Sequence, residues 1–488
     1  MSSVSERFTK LLAKMPMAMV VIPFAIGIFF AEKFELPFWL SISLCIIALA
    51  GVIILKKGEQ IFALFSAILL VGVLLHSLSY KGDIPYDKPL ELVLKVKTSS
   101  IERKGYTSAT ARIAECQYGH LVGREIALWG DSLMLFRAGD RLHLTATIHP
   151  FRAERKEYAQ LMHHRGFVGS VSVNHRATYE YIPAKWVTLH DWAVERLRSA
   201  IEPSEARSVV LAMTTGERGE IGSELRASYS ASGASHLLAV SGLHIGIAFL
   251  LINLLLLPLV LLRYGNVVRS IVAVVLIWCY VWLCGMSPSA VRAAIMFSLL
   301  QFSLSSLREY ANINILAGTA FIMLVFDSHL LFDISFLLSF IAVAGIILWA
   351  IPLYRLCTTR SKLLNTIIGV VFVGVTSTLA TMPLVSTTFS TISLVGVLIN
   401  PAVVILANIV VFTGVISLIF PSVAVVAEFA AEWQNRVVKW AASLPYGHFD
   451  IEISEWVMWV AYTLFGAVTI TLLLLPKREK MPKIEDNY

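Results

Sequence analysis

Apolar runs of membrane-crossing length alternate along this chain with short charged loops, and one long polar stretch interrupts them. Three runs come first, at 17–31, 37–55 and 61–78, each near the ~20 residues that a helix needs to cross a bilayer. Arg7, Lys10 and Lys14 precede the first, Lys56 and Lys57 separate the second from the third, and the loop with Glu32, Lys33 and Glu35 is mixed in sign. Positive-inside logic then puts the amino terminus in the cytoplasm and the chain after the third run outside. From 85 to 183 the period becomes two, in short runs at 92–97, 107–113, 125–129, 141–148 and 168–173, divided by turn-type groups at 103–105, 118–120 and 138–140. Several short strands in so small a segment predict a barrel of the OB type, with a short charged helix over 151–167 closing it.

The remaining stretch is helical by pattern. Between 184 and 235 it predicts amphipathic helices and a linker, one helix starting at the cap Ser204 and ending near Met213, followed by a loop over 214–222. Eight apolar runs follow, at 237–262, 267–283, 289–307, 313–326, 334–353, 363–385, 394–419 and 457–475. The stretch 423–442 carries Glu428, Glu432, Arg436 and Lys439, so it is expected to lie on the membrane surface. Eight crossings after an external barrel leave the carboxyl terminus outside, whereas Lys477, Arg478, Lys480 and Lys483 argue for the inside. One run is therefore re-entrant or broken, and the short 313–326 and the run interrupted by Pro401 are the candidates. The expected segments are 1–84 (transmembrane helices), 85–183 (OB-like domain), 184–235 (linker), 236–476 (a second transmembrane domain) and 477–488 (basic tail).

Composition agrees with that reading. With 57% hydrophobic and 15% charged residues among 488, and a mean hydropathy of +0.73, the chain is expected to be a polytopic α-helical membrane protein with an inserted small all-β (OB-like) extramembrane domain. The net charge of +7 fits a nucleic-acid partner, but basic cytoplasmic loops produce the same excess. Cys45, Cys116, Cys279, Cys284 and Cys357 lie mostly in apolar segments with no disulfide framework or zinc spacing. No cofactor and no metal site is expected, and no phosphate-binding Gly-x-x-x-x-Gly-Lys loop marks an ATP motor. The first apolar run follows a basic segment like that of a signal peptide, but 29–33 offers no small-residue cleavage site, so the run reads as a retained anchor.

Polar groups inside apolar runs call for a chemical reason. The stretch 236–246 places His236, Ser241, Gly242 and His244 at the start of a helix; the alternatives are ordinary packing, the wall of a hydrated path, or a Ser/His pair like that of rhomboid-type intramembrane serine proteases. A second group, Ser287, Ser289 and Arg292, sets a guanidinium in the first turns of another helix, where it can hold a phosphate through two hydrogen bonds or pair internally. A third stretch, with Thr376, Ser377, Thr378, Thr381, Ser386, Thr387 and Thr388 leading to Asn400, is dense in hydroxyls, which either bond to their own backbone or form a wet wall.

Taken in order, Thr215-Gly-Glu-Arg218, the His236–His244 words His-Leu-Leu-Ala-Val-Ser-Gly-Leu-His, Ser-Pro-Ser-Ala-Val-Arg-Ala-Ala at 287–294, Phe-Asp-Ile-Ser-Phe-Leu-Leu-Ser-Phe at 332–340 and Leu-Ile-Asn-Pro at 398–401 resemble the ComEC family of competence proteins. The resemblance implies a multi-pass channel in the bacterial inner (plasma) membrane that takes up single-stranded transforming DNA, its OB-like domain outside the cytoplasm. It also implies a periplasmic DNA receptor and a cytoplasmic ATP-dependent translocase as partners. On this reading His236, Ser241, Gly242, His244, Ser287, Ser289, Arg292, Ser339 and Asn400 line or gate the path, among membrane lipids. Lys95, Lys97, Arg103, Lys104, Arg112, Arg124, Arg137 and Arg141 form an electrostatic funnel, and Tyr106, Tyr118, Trp129 and Phe136 are candidates to stack on bases. The chain departs from the family wording at Asp327-Ser328, often Asp-Pro, at Ser335, often Gly, and at Leu337, often Gln; around 154–158 only Tyr158, with Gly166 further on, matches. It has no His-x-His-x-Asp-His metal motif, so the metallo-β-lactamase-like nuclease that many relatives carry is expected to be a separate protein. A solute or ion transporter with an accessory domain is the alternative of a different class.

Overall fold

In the computed structural model the first three apolar runs are helices, α1 (Pro16–Phe34), α2 (Phe38–Ile54) and α3 (Lys57–Leu78). The structure describes residues 13–34, 38–54, 57–78, 84–86, 88–103, 106–131, 136, 139–151, 162, 166–173, 179–182, 189–238, 240–303, 311–357, 359, 361–389, 391–444, 448–450 and 454–474. α1 and α3 touch backbone to backbone because each has a glycine at the crossing. A Cβ on Gly27 would stand 1.9 Å from the Leu69 carbonyl oxygen, and one on Gly72 would stand 2.3 Å from that of Phe24.

The polar stretch forms a small curled sheet of six strands: β1 (Pro89–Arg103), β2 (Tyr106–Cys116), β3 (Glu125–Asp131), β4 (Arg141–Thr147), β5 (Phe167–Val173) and β6 (Tyr179–Ile182). Their order is β5-β3-β2-β1-β4-β6, antiparallel except for the parallel pair β3–β5. Alternation decides the inner face: Leu90, Leu92, Leu94 and Val96 are buried while Glu91, Lys95 and Lys97 face out. A bridge between His149, just after β4, and Ser170 of β5 draws two distant parts of the sheet together. The runs predicted from the period of two all fall within or next to strands, and β6 is an addition. Most of the helix expected over 151–167 lies outside the described residues.

The helical part begins with α4 (Leu189–Ala200), α5 (Glu205–Thr214) and α6 (Ser223–Ala231). The Ser204 hydroxyl caps α5 by accepting from the Arg207 N–H at 3.1 Å, as its position predicts. There follow α7 (Gly242–Leu255), α8 (Gly265–Leu283), α9 (Pro288–Ser303) and α10 (Ala311–Phe326), then α11 (Ile334–Gly345), which runs on through a π turn (Ile346–Ala350) into α12 (Ile351–Leu356). The last elements are α13 (Lys362–Phe389), β7 (Thr391–Ser393), α14 (Leu394–Ser417), α15 (Ala424–Ala442), β8 (His448–Asp450) and α16 (Glu455–Leu474). Five helices are long and apolar enough to cross a membrane: Pro16–Phe34, Glu59–Leu78, Gly265–Leu283, Ile334–Tyr354 and Leu364–Thr388. Five shorter apolar helices, including Phe38–Ile54, Gly242–Leu255 and Trp456–Thr469, accompany them.

The stretch 423–442 is a helix, α15, that buries Ala427, Ala430, Ala431, Gln434, Asn435 and Val438 and packs on α14, α5 and α6. Its small residues permit that close approach, and its charges lie along the other face. β7, ahead of α14, pairs with β8, after α15, so the α14–α15 hairpin brings the two ends of this stretch together. α16 then runs back along α13, with Tyr462 Oη donating to the Ala380 carbonyl at 3.3 Å and Trp349 Nε1 donating to Thr469 Oγ1 at 2.8 Å. The run that contains Pro401 is one continuous helix, α14.

The glycine crossing yields a measurable consequence. Replacing Gly27 by Val forces α1 away from α3, an overpacking change that costs about 1–3 kcal/mol, so the detergent-solubilised protein should lose several degrees in thermal midpoint. Ala at Gly466, where a Cβ meets nothing within 4 Å, should leave the midpoint unchanged.

Candidate functional site

Stretches far apart in the sequence meet at the entry to α7. Gly216 stands in the left-handed region (φ 85°), and a Cβ there would lie 3.1 Å from the Cys284 carbonyl oxygen and 3.4 Å from Val240 Cγ2. The Thr215–Arg218 turn is thereby wedged between the turn that starts α7 and the turn that starts α9. Ser289 Oγ closes the other side by donating to the Val240 carbonyl at 2.5 Å, with Ser287 Oγ 3.5 Å away. α7 and α9 pack through Gly242, whose Cβ would meet Ala293 at 3.8 Å, and Gly246, whose Cβ would meet the Phe297 ring at 3.0 Å. Ile399 and Val403, flanking Asn400 on α14, belong to the same apolar core as Leu237, Val240, Ile245 and Ala293.

The polar groups in this junction are incompletely satisfied. His244 is fully buried, and its Nδ1 accepts the backbone N–H of Ser241 at 3.2 Å, which fixes the proton on Nε2; that atom is buried without a partner. Ser241 Oγ is likewise buried with no hydrogen bond of regular geometry. Arg292 is 3% exposed and donates from Nη2 to Ser335 Oγ at 3.2 Å, while Nε and Nη1 reach nothing. Asn400 Oδ1 is also buried and unpartnered. Of eleven such orphaned side-chain atoms among the described residues, five lie on these four side chains. His236 differs in being exposed. Gly242 is exposed, Ser287, Ser289 and Ser339 are half-buried, and Ser339 sits one α11 turn beyond Ser335.

Sequence reasoning missed Ser335 as the partner of Arg292, although it stands where family members often carry Gly. It also missed Met286, which adopts φ 53° directly after Gly285 at 69° and is 42% exposed beside Ser287. The hydroxyl-rich stretch is corrected. Thr376, Ser377, Thr381, Ser386 and Thr387 bond to carbonyls three or four residues back on α13, so these hydroxyls are spent on their own helix.

On the sheet, the register sets Arg112 of β2 opposite Lys95 of β1, and Lys95 opposite Arg141 of β4. All three are exposed, forming a cationic row across three strands. Lys97 pairs with Glu125, which Arg112 also approaches at 3.8 Å, and Arg124 is half-buried. Lys104, Arg137 and the Arg103 side chain lie outside the described residues. Tyr106 is 37% exposed and meets Trp129 edge-on at 5.4 Å, and Tyr118 is half-buried. Phe136 is withdrawn as a stacking candidate because it is 4% exposed in the sheet core. Among the described residues, the group whose ligand atoms converge as a metal would require lies elsewhere, at Glu32, His76 and His329.

The Thr215–Arg218 turn is tied down by one titratable pair. His190 Nδ1 donates to the Leu283 carbonyl at 2.7 Å, with Nε2 3.8 Å from Glu217. Burial lowers the imidazole pKa, but Glu217 outweighs it and the net shift is upward; the same contact holds the Glu217 carboxyl below its usual range. Stability from a raised histidine is full below its unfolded pKa and is lost as pH rises through the folded one; that from a depressed carboxyl is lost as pH falls through its folded pKa. The thermal midpoint should therefore decline as pH rises past the histidine range, and the decline should flatten in His190→Gln, as checked by melting curves across pH.

Comparison with known proteins places this junction. The family model "Competence protein" matches residues 213–478, more than half of the chain. An uncharacterized protein of Aquifex aeolicus (strain VF5) is 27% identical over 374 residues, covering 75% of this chain and 82% of that protein. ComE operon protein 3 of Bacillus subtilis (strain 168) is 24% identical over 357 residues, 71% of this chain and 44% of that protein. The uncharacterized protein YcaI of Escherichia coli (strain K12) is 26% identical over 212 residues, 42% of this chain and 28% of that protein. This chain thus matches less than half the length of the last two. No solved structure matches. The loops that converge on Ser241 and Arg292 lie within the matched region, and the chain belongs to the ComEC family of competence proteins.

Proposed function

We propose that this protein is an inner-membrane channel for single-stranded transforming DNA, with the sheet domain outside the cytoplasm. The observation that carries the reading is that buried polar atoms without partners recur on Ser241, His244, Arg292 and Asn400, with His236 exposed ahead of α7. Buried polar groups without partners imply water or a ligand that completes them. Together they describe a wet seam between α7, α9, α11 and α14. Arg292 supplies two unused N–H directions to a phosphate, and His236, Ser287, Ser289 and Ser339 flank the seam with neutral hydrogen-bonding groups.

Capture falls to the sheet. Like charges set directly opposite across strands are destabilising, so the row Arg112–Lys95–Arg141 is best explained by a polyanion that neutralises it, with the partly exposed ring of Tyr106 as a candidate to stack on a base. The strand order, with β1 shared by β2 and β4 and β3 parallel to β5, supports the OB-type reading of this domain. A receptor outside delivers the strand and an ATP-dependent translocase inside pulls it. The protease alternative finds no support, because the His244 nitrogen that would take the Ser241 proton already accepts a backbone N–H. The transporter alternative gains none from the cationic row, which suits a polymer.

Fluorescent DNA uptake tests the channel. In an Arg292→Gln strain DNA should still reach the periplasm while entry to the cytoplasm drops at least tenfold, with protein level and melting curve as controls; normal entry would overturn the proposal. For capture, replacing Lys95, Arg112 and Arg141 together by Ala should weaken single-strand binding. It should also flatten the plot of log affinity against log salt by about 2, at roughly 0.7 per phosphate contact.

A further inference from the structure

Three polar side chains, none of them among the residues of the proposed path, meet where two helix ends approach one turn. Glu32 lies in the last turn of α1 and His76 in the last turn of α3. His329 lies in the 3-10 turn (Ser328–Phe332) joining α10 to α11. The ends come together because α1 and α10 run side by side in the same direction: Met17 N–H donates to Asn314 Oδ1 at 3.2 Å, and Asn314 Nδ2 donates to the Lys14 carbonyl at 2.9 Å at their shared start. At the far end, His76 is 1% exposed, with Nε2 2.8 Å from Glu32 Oε2 and Nδ1 2.8 Å from Ser328 Oγ. The His76 and His329 rings stand edge to face with centroids 5.0 Å apart. The Asp327 carboxylate fixes the 3-10 turn by accepting the His329 N–H at 3.1 Å.

We propose that Glu32, His76 and His329 bind one divalent first-row transition metal ion, zinc by the chemistry of the set. One ligand atom from each residue lies within 4.8 Å of the others. Tetrahedral zinc, with bonds of about 2.0–2.1 Å, sets its ligand atoms about 3.3 Å apart, so side-chain rotation closes the remaining gap. Two imidazoles and one carboxylate are a preferred zinc set, which leaves a fourth position for water or another oxygen. The surroundings match a metal site in a further respect. A ligating histidine typically engages a partner through its second nitrogen, and His76 does so with Ser328.

A plain hydrogen-bonded staple accounts for the Glu32–His76–Ser328 chain but not for His329, whose Nε2 is buried beside this pair with no partner. A cation gives that nitrogen a role, and it pins α1 and α3 to the turn between α10 and α11, at the end where α3 leads into the sheet. Arg124 of the sheet domain lies within electrostatic reach of His329, so the two parts of the molecule adjoin here.

The test uses the full chain in detergent, stripped with chelator, titrated with ZnCl2 and assayed by elemental analysis after desalting and by calorimetry. One zinc per chain is expected, with MgCl2 in excess failing to displace it. His329→Gln should weaken zinc binding at least tenfold while leaving the Glu32–His76–Ser328 contacts and the metal-free melting curve unchanged, and His76→Gln should abolish binding. Cobalt substitution should give the visible bands of a tetrahedral site. Zinc retained equally by the wild type and both variants, or no retention above a tenth of an equivalent, would overturn the proposal. DNA uptake plays no part in the readout, so failure of the channel reading would not bear on this site.

Discussion

Polar groups inside an apolar bundle have to find partners, and the contrast between those that do and those that do not organises this protein. Along α13 the hydroxyls turn back to their own carbonyls. Between α6 and α15 Tyr229 Oη donates to Asn435 Oδ1 at 2.9 Å and accepts from Gln434 Nε2 at 2.9 Å, although Gln434 Oε1 stays without a partner. Ser241, His244, Arg292 and Asn400, by contrast, carry buried polar atoms without partners. Such atoms imply solvent or a ligand that completes them.

The geometry that gathers these side chains depends on small residues and turns. Gly216 permits the Thr215–Arg218 turn to reach both Val240 and Cys284, and Gly242 and Gly246 let α9 lie against α7. The Gly285–Met286 turn reverses the chain with two consecutive left-handed residues, one of them not glycine, which stores strain of order 1–3 kcal/mol beside the seam.

Much of this was legible in the sequence, for reasons that differ by segment. The strands announced themselves through alternation, since Leu90, Leu92 and Leu94 must face one way and Lys95 and Lys97 the other. Ser204 announced α5 because a cap is a local event. The fate of 423–442 was not legible: charges at 428, 432, 436 and 439 describe one face, while the alanines that bury the other carry no weight in a hydropathy pattern. Nor was the union of Glu32, His76 and His329, since the three lie 44 and 253 residues apart and nothing local relates them. Their one trace was position, each standing at the end of an apolar run where a polar residue passes as a boundary marker.

Arg292 shows how a buried cation can serve passage instead of storage. A guanidinium locked in a bidentate pair with a carboxylate would hold its partner too firmly to exchange. Among the described residues Arg292 makes no ion pair; its one hydrogen bond goes to the neutral hydroxyl of Ser335, and Asp333, the nearby charge, spends Oδ1 on the Phe336 N–H at the start of α11. The cation is therefore compensated at a distance and left with open directions. A phosphate can bind there without breaking a strong contact and can leave without creating an isolated charge, because Asp333 remains. On the proposed channel reading, conduction needs this balance, binding favourable enough to admit the polymer and weak enough to release it. On the same reading the sheet's cationic row, exposed to screening by salt, would provide the longer-ranged and looser attraction that precedes it.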